Sequence, residues 1–158
     1  MPAPIVEPPV EPSAALPAAP TPDPARVLFR WPVRVYWEDT DAGGIVFYAN
    51  YLKFFERART EWLRAAGVQQ QMLREQEGAM FVVADTALRY HAPARLDDLL
   101  TVTVALAERG SASMRLVQQA LRGPTMLAEG HIRIGCVDHG TLRPRRIPRS
   151  IQRVLDAP

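Results

Sequence analysis

From Asn50 to Ala66 the apolar residues Tyr51, Leu52, Phe54, Phe55, Ala58, Trp62 and Ala66 recur at helical spacing. They make one broad stripe, opposed by Lys53, Arg57, Thr60, Glu61 and Arg64, which predicts an amphipathic helix with a wide buried face. Gly67 comes next as a plausible C-cap. No other segment of the chain is as long or as apolar at this period. A stripe that wide needs a large apolar surface to lie on, and the rest of the chain has to supply it.

Beyond the helix the chain is mostly strand-like. After a short polar helical piece, Gln69–Glu77, ending at Gly78, the segment Met80–Tyr90 reads as a strand closed by His91–Asp98. Leu99–Glu108 alternates Leu100, Val102, Val104 and Leu106 against Thr101 and Thr103. Ser113–Arg122 stops at Gly123–Pro124, and Met126–Val137 carries Ile132, Ile134 and Cys136 on one face. Before the long helix, Val33–Trp37 alternates and is rich in β-formers. One strand, one long helix and four strands joined by short turns predict an α+β fold, an antiparallel sheet of about five strands curved around a single helix. No internal repeat is visible. Such a sheet leaves an edge poorly covered, so a homodimer that continues it, or a homotetramer built from such dimers, is expected.

The chain has 158 residues, a length suited to one domain, and 47% of them are hydrophobic, enough for a sizeable core. No apolar run approaches the roughly 18 residues of a membrane span. The N-terminus lacks the basic and apolar regions of a secretory signal. Cys136 is the single cysteine, which suits a reducing compartment, and a cytoplasmic location is expected. The first residues are different in kind. Nine of the 15 prolines fall within the first 24 positions, among alanines. Residues 1–25 are therefore read as a disordered Pro/Ala-rich tail and 26–158 as the single domain.

That tail conceals the charge of the body. All 19 Lys and Arg lie after residue 24, while three of the 17 acids lie before it, so the chain's net +2 becomes +5 for the body. All but Lys53 are arginines. Arg143, Arg145, Arg146, Arg149 and Arg153 crowd into the last 16 residues. Arginine clusters suit phosphates, and they equally make a solvated face. No zinc-finger spacing, RNP pattern or basic helix points to nucleic acid.

Several chemistries lack their residues. His131, Cys136 and His139 lie close together, but on one strand His131 and Cys136 would point to opposite faces, and their spacing fits no zinc pattern. No metal or organic cofactor is implied. There is no G-x-S-x-G, Walker loop or G-x-G-x-x-G, and Cys136 reads as an inert buried thiol.

One stretch remains, Glu38–Tyr51, "EDTDAGGIVFYANY". Asp39, Thr40, Asp41, Gly43 and Gly44 are ordinary turn formers, and a plain turn accounts for them. The same residues also suit an active-site loop. They lead into the start of the long helix, where unpaired N–H groups and the positive dipole end favour developing negative charge. Glycines there allow close backbone approach. A carboxylate beside such an N-terminus is half of a hydrolytic site.

The stretch Val33–Gly67, with Tyr90–Asp98 and Arg143–Ile151, resembles the hotdog-fold acyl-CoA thioesterases. The likeness is to the 4-hydroxybenzoyl-CoA thioesterase family and its Tol-Pal-associated acyl-CoA thioesterase branch. It implies a hotdog fold, a long helix wrapped by an antiparallel sheet, and an acyl-CoA substrate. In the D-x-D-A/P-G-G-I/V motif the second aspartate attacks the thioester or activates water, a role that falls on Asp41. The residue seven positions on, Tyr48, offers its backbone N–H to the thioester carbonyl. The Tol-Pal-associated branch often has histidine there, whereas tyrosine followed by Asn50 and Tyr51 resembles the 4-hydroxybenzoyl-CoA enzymes. A backbone role survives that change; a side-chain acid–base role does not, because phenols ionise far above neutral pH. The resemblance further implies a substrate-binding set of Gly44, Phe47, Glu56, Arg89 and Arg145, with Glu56 in the acyl pocket or paired with Arg57 or Arg59. Arg89, Arg95 or the C-terminal cluster would hold the CoA phosphates.

Two rivals stand beside hydrolysis. A hotdog scaffold binding acyl-carrier protein or a cell-envelope partner suits the basic surface, but has no need of Asp41. A hotdog dehydratase needs a catalytic histidine that this loop lacks.

Overall fold

The computed structural model describes residues 27–156, so the Pro/Ala-rich tail lies outside the described residues. Five strands, β1 (Val27–Arg34), β2 (Ala79–Tyr90), β3 (Leu99–Arg109), β4 (Ser113–Arg122) and β5 (Thr125–Asp138), form one sheet. Its order is β1-β3-β4-β5-β2, and every neighbouring pair is antiparallel. Helices α1 (Asn50–Ala65), α2 (Gln70–Glu77) and α3 (Arg149–Asp156) complete the fold. The α+β expectation holds.

The α1 stripe lands on the sheet as its spacing requires. Tyr51, Phe54, Phe55, Ala58, Trp62 and Leu63 are buried, and they pack against Leu100, Val102 and Val104 of β3, Leu116 of β4 and Ile132 of β5. Phe54 and Phe55 are fully enclosed, each contributing about 1.5–3 kcal/mol through burial. The helix comes so close to β5 that a Cβ on Gly130 would stand 2.7 Å from the Phe55 ring. A glycine is what the sheet needs beneath that phenyl group.

Three details depart from the sequence reading. The first strand runs Val27–Arg34, not Val33–Trp37. It is an edge strand, the place in a sheet where a residue without an N–H such as Pro32 is tolerated. Beyond it Val35 leaves the ladder to bond Asp97 and Asp98, and Trp37–Asp39 coils into a 3₁₀ turn. Second, the arginine-rich C-terminus contains α3, whose Ile151 and Leu155 are buried. Arg149 and Arg153 are thus the polar side of an amphipathic helix that begins just after Pro148. Third, β2 carries a bulge between Val83 and Asp85.

Candidate active site

The two aspartates of the Glu38–Tyr51 loop do different work. Asp39 is 4% exposed, and its Oδ2 accepts the Tyr36 N–H at 2.8 Å. Its Oδ1 accepts from the Asn50 amide at 3.4 Å, and its backbone carbonyl accepts the Phe47 N–H at 2.8 Å. Asn50 is the first residue of α1, so Asp39 fastens the incoming strand to the start of the helix. It is a tie within the fold.

Asp41 is exposed at the tip of the same loop. Its N–H donates to the Ile45 carbonyl at 2.9 Å, and its carbonyl accepts the Gly44 N–H at 3.0 Å, a turn closed by Gly44 at φ +73°. A residue with a Cβ is strained there. Asp41 Oδ1 accepts the Gly43 N–H at 2.8 Å, and Oδ2 has no partner among the described residues. One oxygen holds the carboxylate in place; the other is free of partners among the described residues.

The loop ends at α1, which begins without a side-chain cap because Ala49 stands at the N-cap. The Tyr48 N–H has no hydrogen-bond partner among the described residues, and its side chain is 63% exposed. The peptide is nevertheless fixed, because its carbonyl accepts the Tyr90 hydroxyl at 2.9 Å. Tyr90 in turn packs on the buried Tyr51, ring centroids 5.6 Å apart. The Tyr51 hydroxyl accepts the Ala94 N–H at 3.3 Å, and Val46 donates to the Ala94 carbonyl at 2.9 Å. Burial disfavours the phenolate and pushes the pKa of both Tyr51 and Tyr90 up, so both phenols stay neutral near pH 7. Arg95 pairs with Ile45, completing the brace on the far side of the loop. Asp98 stands behind it: partial burial opposes its charge, but the Arg95 N–H and the Arg122 guanidinium at 2.7 Å hold its carboxyl below the usual range.

The expected site residues divide into groups. Asp41, Gly44, Phe47 and Tyr48 share the loop, with the Phe47 and Tyr48 rings 4.7 Å apart. Arg89 is exposed and immediately precedes Tyr90, at the loop's end of β2. Glu56 lies farther along α1 and accepts the Thr60 hydroxyl at 2.7 Å; it pairs with neither Arg57 nor Arg59. Arg145 is elsewhere. Its guanidinium donates to the Glu77 carbonyl at the close of α2, beside the start of β2. The 12 residues of β2 separate it from Tyr90, about 36 Å of extended chain. Among the described residues no group of three His, Cys, Asp or Glu is arranged for a metal, and His131 turns to Glu129, 3.2 Å away. Cys136 is buried, which pushes its thiol up. Asn50 and Tyr90 escape a reading of the sequence. Asn50 is visible there only as a helix start, and Tyr90 lies 42 residues from the peptide it holds.

Comparison with known proteins identifies the family. A family profile described as the thioesterase-like superfamily matches residues 35–155, from just after β1 into the last turn of α3. The chain belongs to the thioesterase-like superfamily. Among curated members, the acyl-CoA thioesterase YbgC of Haemophilus influenzae is 44% identical over 124 residues, 78% of this chain and 91% of that one. The acyl-CoA thioester hydrolase YbgC of Escherichia coli O157:H7 is 46% identical over 125 residues, covering 78% and 92%. Among solved structures, a probable thioesterase from Bartonella henselae superposes with a TM-score of 0.72 at 35% identity, covering 75% of this chain and 98% of that one. The sheet and its central helix are those of the hotdog thioesterases.

Proposed function

We propose that this superfamily member hydrolyses the thioester of acyl-CoA to the free acid and CoA, with Asp41 as the reacting carboxylate and the Tyr48 N–H as oxyanion donor. One observation carries the assignment of roles: a single pinned loop presents an unencumbered carboxylate oxygen at one end and an unpartnered N–H at the other. The names of the YbgC relatives supply the substrate class. With Asp41 as base, water attacks the carbonyl carbon and its proton passes to the carboxylate. The oxyanion is held by the Tyr48 N–H and the start of α1, and collapse expels the CoA thiolate, which takes up a proton. With Asp41 as nucleophile, its oxygen displaces the thiolate to form a mixed anhydride, which water then cleaves. Both routes need the same two groups.

Arginines supply the CoA end. Arg89 and Arg95 flank the loop, and their charge suits the phosphates. Phosphates bound at an exposed surface are screened over about 10 Å in 0.1 M salt. The KM for acyl-CoA should therefore rise with ionic strength while kcat changes little. An N-acetylcysteamine thioester lacks phosphates and should show almost no salt effect. Equal salt dependence for both substrates would contradict an arginine grip on CoA. The same basic surface suits an acidic acyl-carrier protein as an alternative donor of the acyl group.

The functional unit in this reading is a dimer. β2 is an edge strand, exposed from Val83 to Ala87, and long enough to pair with a second copy. Antiparallel pairing of two β2 edges about a two-fold axis sets the Arg145 end of each chain beside the Asp41 end of the other. Arg145 would then serve a site that it cannot reach within its own chain. Light scattering should report a dimer or a tetramer of dimers; a stable, fully active monomer would contradict this.

A further inference from the structure

Between the second half of α1 and the inner face of β2, β4 and β5 lies a cavity of about 140 Å³. That is close to the volume of an engineered cavity that takes up benzene. Most of its wall is apolar, with Trp62, Phe81, Leu116 and Ile134 among its residues. Two charged side chains, Glu56 and Arg59, break that wall.

The half-buried Arg59 has no carboxylate partner among the described residues. Its Nη1 donates to Oε1 of Gln118 at 2.8 Å, its single hydrogen bond there. Gln118 is fully buried, and its amide nitrogen donates to the Phe55 carbonyl at 3.0 Å and the Thr103 carbonyl at 3.3 Å. Those two carbonyls forbid the flipped amide, so Oε1 must face Arg59. Glu56, the acid in range, is engaged elsewhere: it accepts the Thr60 hydroxyl, which itself accepts from Gln70 at 2.7 Å. The protein thus holds a guanidinium against a neutral amide with its remaining N–H groups uncommitted. Burial depresses its basicity and the charge of Glu56 partly restores it, so the cation persists. A partly desolvated cation with no carboxylate hydrogen-bonded to it is costly unless something supplies more of the negative end.

We propose that this cavity receives the far end of the acyl group, and that Arg59 selects acyl groups ending in a carboxylate over those ending in methyl. The inference deepens the acyl-CoA hydrolase reading and rests on it. Arg59 stands nine residues beyond the start of α1, about 14 Å along the helix axis, a span that an extended medium-length acyl chain covers. The apolar wall takes the methylenes, and the guanidinium takes the terminal carboxylate through paired N–H groups.

The test compares saturated acyl-CoAs with ω-carboxy acyl-CoAs of matched length, reading kcat and KM for each. For the wild type, kcat/KM should favour the ω-carboxy series by about tenfold at the best length, chiefly through KM. Arg59→Gln should bring that ratio to about one, and Arg59→Lys should keep part of it. Because losing Arg59 leaves the buried Gln118 oxygen unpaired and can unfold the protein, Glu56→Gln is the second variant. Removing that negative charge should raise the ratio above wild type. Hydrolysis of both series at equal efficiency by wild type, or a ratio unmoved by Glu56→Gln, would overturn the proposal and leave the thioesterase reading standing. Hydrolysis of neither series would overturn both.

Discussion

Asp41→Asn is expected to lower kcat for acyl-CoA hydrolysis by about 10²–10⁴-fold, with the melting temperature nearly unchanged. The substitution keeps the size of the side chain and an oxygen to accept the Gly43 N–H, so the turn persists. What it removes is the charge, and with it the ability to take a proton or attack a carbonyl. Asp39→Asn is the control within the same loop. Its carboxylate is buried, and its two oxygens are spent on Tyr36 and Asn50, so the substitution acts on how firmly the loop is tied. Turnover should fall much less, and the loss should appear in thermal stability. Equal losses of turnover in both variants, or a larger one at Asp39, would reverse the assignment.

Tyr48→Pro should cost about 10²–10³-fold in kcat, because it deletes the N–H proposed to meet the oxyanion. Tyr48→Phe should stay within about tenfold of wild type, or 1.4 kcal/mol. The phenol hydroxyl of Tyr48 has no partner among the described residues, and the fold uses the residue's carbonyl instead. Circular dichroism on the proline variant separates a lost donor from a disturbed helix start. A large loss for Tyr48→Phe would give the hydroxyl a part in the reaction.

The sequence foretells most where one local pattern decides the outcome. The α1 stripe and the strand alternation from β2 to β5 are written in residues a few positions apart, and the structure keeps their boundaries within a residue or two. Strand β1 starts before its clearest alternation and runs through Pro32, which only an edge strand has room for. Helix α3 is hidden because its arginines mask Ile151, Val154 and Leu155, spaced as a buried stripe after Pro148. The Glu38–Tyr51 loop is legible as a motif, but the different surroundings of Asp39 and Asp41 are not. That difference depends on burial and on a bond to Asn50, 11 residues on. The Arg59–Gln118 contact spans 59 residues and exists only once β4 lies beneath α1. No local pattern encodes such a pair.

The proposed function stands or falls on cleavage of acyl-CoA by means of Asp41. Purified wild type and Asp41→Asn, assayed side by side on a panel of acyl-CoAs, test it most directly when free thiol and free acid are both measured. Wild type should release thiol and acid in equal amounts, at a rate that the variant nearly loses. Thiol release no faster than the variant's on every substrate, or thiol released without the matching acid, would contradict it.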